Sequence, residues 1–201
     1  MSIRYRHYPV LLMFGVLCSG CTLTSFPIYQ APVPNSKAVV FDIDGTLTPK
    51  PSAIFSVRQD AASTVHLFSE HGYKIIYLSA RVALLQGGIP SWLAENGFPE
   101  GSIHVPGSAE DSVDHAAFKA RVLNQYQNKG WVIAAGFGDS STDFEAYAQV
   151  GLEASSVFAL QRQGEGACLS GAWAYCFNSW SAQRVHLETW IQNDQKGATL
   201  D

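Results

Sequence analysis

The chain alternates short, continuous apolar runs with longer stretches in which apolar residues recur every three or four positions. The runs at 38–41, 74–78, 102–105, 131–135 and 156–160 each predict a strand covered on both faces. Between them, the spacing predicts helices over 57–71, 89–96, 116–127 and 144–149. In the first of these Val57, Ala61, Val65 and Phe68 share a face, and Gly72 sits where a helix would stop. A last segment, 182–192, predicts a docking helix carrying Val185, Leu187 and Trp190, while the acidic stretch 109–115 reads as a loop. Alternation of this kind predicts an α/β fold with a doubly wound, mainly parallel, Rossmann-like sheet. Sites in such folds lie beyond the carboxyl ends of the strands.

The first strand ends abruptly in charge: Ala38-Val-Val-Phe-Asp-Ile-Asp-Gly-Thr-Leu-Thr48. Strand residues two apart face the same side, so Asp42 and Asp44 can converge while Ile43 packs on the opposite face. Two carboxylates that close repel unless a cation lies between them or one keeps its proton. Ser79 follows the second strand, Lys119 lies in the predicted helix 116–127, and Asp139 and Asp143 follow the fourth strand. Taken singly, each has a plainer reading: Ser79 as a helix cap, Arg81 as a structural salt bridge, Lys119 as a solvated charge, the late aspartates as a helix N-terminal pair. Their joint occurrence at strand ends and the turns that follow outweighs those readings.

The N-terminus adds a separate message. Arg4, Arg6 and His7 precede an apolar run over 10–18 and then Ser19 and Gly20, the layout of a secretory signal peptide. That run is well short of the roughly 20 residues a spanning helix needs. Leu17-Cys-Ser-Gly-Cys21 resembles a bacterial lipoprotein cleavage box, which implies lipidation of Cys21. The expected organisation is a signal peptide at 1–20, a proline-containing tether at 21–36 and one domain at 37–201. The domain would be exported and membrane-anchored on the periplasmic side, with the outer membrane favoured if the cell is Gram-negative. Removing residues 1–20 takes the net charge from −4 to −6, because Arg4 and Arg6 leave without an acid. No basic cluster remains, which argues against a nucleic-acid partner. Cys168 and Cys176 are left as an even pair, either a disulfide, which export favours, or two buried thiols. His66, His71, His104, His115 and His186 show no metal-ligand spacing.

The order and types of Asp42, Asp44, Thr46, Ser79, Lys119, Asp139 and Asp143 resemble the haloacid dehalogenase superfamily of phosphotransferases. Asp42-Ile-Asp-Gly-Thr-Leu-Thr, Tyr77-Leu-Ser-Ala-Arg, Phe118-Lys and Gly136-Phe-Gly-Asp with Thr142-Asp-Phe-Glu-Ala-Tyr are similar to the catalytic domain of lipin-type phosphatidate phosphatases. The resemblance implies a magnesium-dependent phosphomonoesterase that works through an aspartyl-phosphate. Asp42 would attack phosphorus and Asp44 would move the proton. Mg2+ would be held by Asp42, Asp139, Asp143 and the Asp44 carbonyl, while Thr46, Ser79 and Lys119 would hold phosphate oxygens. Gly45 would let the backbone approach the phosphate, and Arg81 would be a further substrate contact.

Neither 48–74 nor 81–119 is long enough for a separate cap domain, and an open site favours large or membrane-bound substrates. The expected substrate is therefore phosphatidic acid or a related lipid phosphate. The alternatives are an exported broad-specificity acid phosphatase or nucleotidase, or a phosphatidic-acid-binding module without turnover. Some lipid-transfer proteins resemble the last class, carrying a lipin-like domain whose nucleophile is lost.

Overall fold

The computed structural model describes Leu23 and residues 25–197. The signal segment and Cys21 lie outside the described residues. The predicted strands are present as β1 (Lys37–Phe41), β2 (Lys74–Leu78), β3 (Ser102–His104), β4 (Val132–Gly138) and β5 (Val157–Leu160), and β6 (Tyr175–Phe177) is added beyond β5. All pair in parallel in the order β3-β2-β1-β4-β5-β6. The chain reverses direction across the sheet at β1, where β2 and β4 flank it, so the crevice of a doubly wound sheet opens above β1. Phe41 pairs with Tyr77 and with Phe137, which brings Asp42, Ser79 and Asp139 out at one end.

Two apolar layers cover the sheet. One packs Phe41, Phe137 and Phe158, stacked with centroids 4.7 Å apart at each step, against α1 (Ala61–Glu70) and α7 (Arg184–Gly197). The other packs Val40, Ile76 and Leu78 against α5 (His115–Asn128) and α6 (Ser141–Gln149). Between β2 and β3 run α2 (Ala83–Gln86) and α3 (Ile89–Glu95), and no large cap stands over the sheet. Among the described residues no helix is long and apolar enough to cross a membrane.

Four local expectations are corrected. Helix α1 starts at Ala61 rather than Val57, because Arg58 is drawn out of helical register: its amide bonds Leu47 O and its guanidinium bonds three carbonyls. The acidic stretch is not loop throughout: α4 (Ala109–Val113) forms there, with the Ser108 hydroxyl accepting from Asp111 N and two acids in its first turn. On α7, Val185 is 75% exposed, while Leu187 and Ile191 are fully buried. Positions 187, 190 and 191 share a helical face; 185 and 187 do not. Finally, the expected tether lies against the domain from Ser25 on. Phe26 N bonds Ile103 O on edge strand β3, and Trp131 Nε1 donates to Tyr29 O.

Cys168 and Cys176 are joined by a disulfide, which ties the loop after β5 to β6. A loop of this size contributes about 2–3 kcal/mol on the chain-entropy account.

Candidate active site

Strand ends and helix starts converge on a cavity of about 340 Å³ lined by Asp42, Asp44, Arg81, His115, Lys119, Asp139 and Arg162, with Pro51, Ile54, Val82 and Leu85 around it. Asp42 leaves β1 with its amide bonded to Phe137 O at 3.0 Å, so its side chain is fixed by the sheet. Lys119, in the first turns of α5, reaches in to bond Asp42 Oδ1 at 2.7 Å and Asp143 Oδ1 at 2.5 Å. Asp143 is set by the start of α6: its Oδ2 accepts from Asp139 N, Ser140 N and Ser140 Oγ. Arg162, two residues beyond β5, pairs with Asp139.

Asp42, Asp139 and Asp143 each offer an oxygen within 4.8 Å of the others, and all three residues are at most 4% exposed. Glycine makes the crowding possible. Gly45 has φ +103°, and a Cβ there would sit 2.1 Å from Asp139 Oδ2; one on Gly138 would sit 2.5 Å from Asp143 Cβ.

Three buried carboxylates face two cationic side chains, so the cluster carries excess negative charge. Burial first, and then Asp143, hold the Asp42 carboxyl well above the usual carboxylate range, against the pull of Lys119. Burial and Asp143 raise Asp139 too, with Arg162 opposing. Burial works against the Lys119 charge, but Asp143 and Asp42 outweigh it and raise the ammonium's pKa. Asp42 Oδ2 is buried with no hydrogen-bond partner. An orphaned carboxylate oxygen beside two more carboxylates, in an all-oxygen donor set, fits a hard divalent cation such as Mg2+.

Asp44 has a different environment. Arg81 forks onto it, Nη2 at 2.6 Å from Oδ1 and Nε at 3.2 Å from both oxygens, and Ser79 Oγ donates to Oδ2 at 2.8 Å. Asp42 and Asp44 thus line one cavity but have separate partners, and the Asp44 carboxylate is not one of the three clustered acids. Arg81 takes the salt-bridge arrangement rather than projecting free towards substrate, and the Ser79 hydroxyl, which also accepts from Arg81 N, is occupied by the same pair. Thr46 Oγ1 reaches Asp139 Oδ1 at 3.4 Å.

Three residues escaped the sequence reading. Arg162 follows a strand end, and that rule alone could have found it. Arg58, 8% exposed, bonds Gly45 O at 2.7 Å, Pro49 O and Gln161 O, tying the 45–49 turn to the segment that carries Arg162. Gln86 Nε2 bonds Arg81 O and Pro106 O, anchoring the backbone beneath the Arg81–Asp44 pair.

A family model described as PITM 1-3, LNS2 domain matches residues 39–161. Protein retinal degeneration B of Drosophila melanogaster is 34% identical over 170 residues, covering 82% of this chain and 13% of that protein. Human phosphatidate phosphatase LPIN3 is 32% identical over 157 residues, 65% of this chain and 18% of that protein. The chain therefore spans less than a fifth of the length of these relatives. Among solved structures, a putative HAD-like phosphatase from Mesorhizobium loti aligns with TM-score 0.58 at 17% identity, over 86% of this chain and 92% of that one. D,D-heptose 1.7-bisphosphate phosphatase from B. bronchiseptica, complexed with magnesium and phosphate, aligns with TM-score 0.54 at 16% identity, over 76% and 98%. At these identities the two structures share the fold.

Proposed function

The chain belongs to the LNS2 domain family, and from that premise we propose that it is a magnesium-dependent phosphomonoesterase acting on phosphatidic acid or a related lipid phosphate at a membrane. One observation carries the reading: Asp42 leaves β1 with one oxygen held by Lys119 and the other without a partner, beside two more buried carboxylates. A structural role for so many buried like charges has little to recommend it, since each costs several kcal/mol to desolvate.

In this reading Asp42 attacks phosphorus, the bond from phosphorus to the ester oxygen breaks, and an aspartyl-phosphate forms. Asp44 gives a proton to the departing oxygen, then takes one from the water that releases phosphate and restores Asp42. Ser79 and Arg81 position Asp44, and one arm of the Arg81 fork gives way when Asp44 carries the proton. Lys119 holds Asp42 in line and offsets charge on the phosphoryl oxygens. Asp42, Asp139 and Asp143 would hold the magnesium ion, which when bound supplies further neutralisation of those oxygens. Thr46 and Arg162 fix Asp139 for that task.

The relatives include both a phosphatidate phosphatase and phosphatidylinositol transfer proteins, which keeps one other reading in play: a phosphatidic-acid-binding module without turnover. Asp42, the residue turnover needs, is present with every other catalytic position, and this favours the enzyme. The experiment is a substrate panel with the full chain, with and without magnesium, over phosphatidate in mixed micelles, nucleotides and sugar phosphates. Magnesium-dependent release fastest from phosphatidate is expected. Rapid release from nucleotides or sugar phosphates alone would replace the lipid by a broad-specificity exported phosphatase; saturable phosphatidate binding without release would establish the binding module.

A further inference from the structure

We propose that the apolar rim of the cavity is a docking face for a bilayer that contains the phosphate substrate, an inference that rests on the lipid-phosphate reading. Two loops form the rim. Pro51 and Ile54 line the cavity from one side, and the next residue, Phe55, is 85% exposed. Val82, just before α2, and Leu85 within it line the cavity from the other side, and there Leu84 is 87% exposed and Val82 62%. Large aliphatic and aromatic side chains standing in water on both lips of a charged cavity are the reverse of a solvated mouth.

The start of the described chain identifies the occupant. Leu23 lines one cavity together with Ala83 and Gln86 of α2 and residues of the segment 106–112, so the described chain begins on the α2 side of the opening. Cys21, the candidate lipidation site, stands two residues before Leu23 in the sequence. A membrane holding a lipid on Cys21 lies next to α2 and its exposed Leu84, and the cavity mouth then faces the bilayer surface, where a lipid phosphate resides. Docking is by apolar insertion, because the chain after residue 20 offers no basic cluster. Binding of the rim is accordingly insensitive to salt.

The test uses the full chain in phosphatidylcholine vesicles containing phosphatidate. Phe55→Trp and Leu84→Trp each add a fluorophore to the rim, and Gln192→Trp adds one to α7 as a control. Brominated acyl chains are expected to quench the added emission at 55 and 84 by at least half at low and high salt alike, and to leave that at 192 unchanged. In the double variant Phe55→Ser/Leu84→Ser, release from vesicle phosphatidate falls at least tenfold, while release from monomeric dihexanoyl phosphatidate stays within twofold of the parent. Unquenched probes with an unchanged vesicle rate overturn the docking face and leave the lipid-phosphate reading intact. A parent that cleaves neither form of phosphatidate overturns that reading, and quenching at 55 and 84 then supports docking by itself. Unquenched probes with concentration-dependent self-association assign the rim to a second copy and overturn the proposal.

Discussion

The floor and the rim of the cavity invert the usual distribution of residues. On the floor, Asp42, Lys119, Asp139 and Asp143 are all at most 4% exposed; on the rim, Phe55 and Leu84 are more than four-fifths exposed. Elsewhere the chain obeys the ordinary rule, with Phe41, Phe137, Phe158 and Trp180 fully buried. On the floor, buried charge meets opposite charge, Lys119 against Asp42 and Asp143 and Arg162 against Asp139; on the rim, exposed apolar side chains stand on both sides of one opening. On the function proposed above, the difference marks the face of the molecule that meets a ligand.

The comparison can be broken at its floor first. Replacing Lys119 by Met leaves two buried carboxylates, Asp42 and Asp143, without their shared ammonium, and a loss of roughly 3–5 kcal/mol in chemical unfolding is expected. An unchanged midpoint would mean that the ammonium does not hold the floor together.

A buried titratable group outside the floor sharpens the contrast. His104, at the end of β3, bonds the Tyr126 hydroxyl at 2.8 Å, and burial, helped by Lys74, lowers its pKa to about 4. The unfolded chain takes up this proton near pH 6.5 and the folded chain does not. His104 therefore favours folding fully above that pH and loses up to about 3 kcal/mol as pH falls towards 4. In His104→Gln, the pH dependence of stability across that window is expected to flatten relative to the parent. An identical slope in both would remove His104 as its source.

The third prediction concerns the ion. Because burial and mutual repulsion raise Asp42 and Asp139, a divalent cation binding the folded floor should stabilise it. At a hundred times its Kd, magnesium would contribute about 2.7 kcal/mol, seen as a rise in melting temperature. Asp139→Asn should remove most of that rise. An equal rise in parent and variant would place the ion elsewhere.

Much of the fold was legible because strands buried on both faces print themselves as unbroken apolar runs; β2 matches its run residue for residue. β6 was not, since it has three residues and only Phe177 is fully enclosed. The site's carboxylates, Ser79 and Lys119 were legible from their order at strand ends. Their pairings were not: nothing in Ser79-Ala-Arg81 says that both side chains would turn to Asp44. Arg58 is a single charge in an irregular loop, where no period points to a partner, and of the two arginines only Arg162, just beyond β5, stood where the strand-end rule applies. The rim was the least legible of all, because no apolar period marks its residues: Phe55 lies outside any helix or strand, and Leu84 and Leu85 sit in the four-residue helix α2.

The central claim is that Asp42 is the nucleophile of a phosphatase, and Asp42→Asn tests it most directly. Assayed with phosphatidate and magnesium beside the parent, and with its unfolding midpoint recorded, the variant is expected to keep its fold and release no phosphate above the blank. Hydrolysis retained at a rate near the parent's would contradict the account.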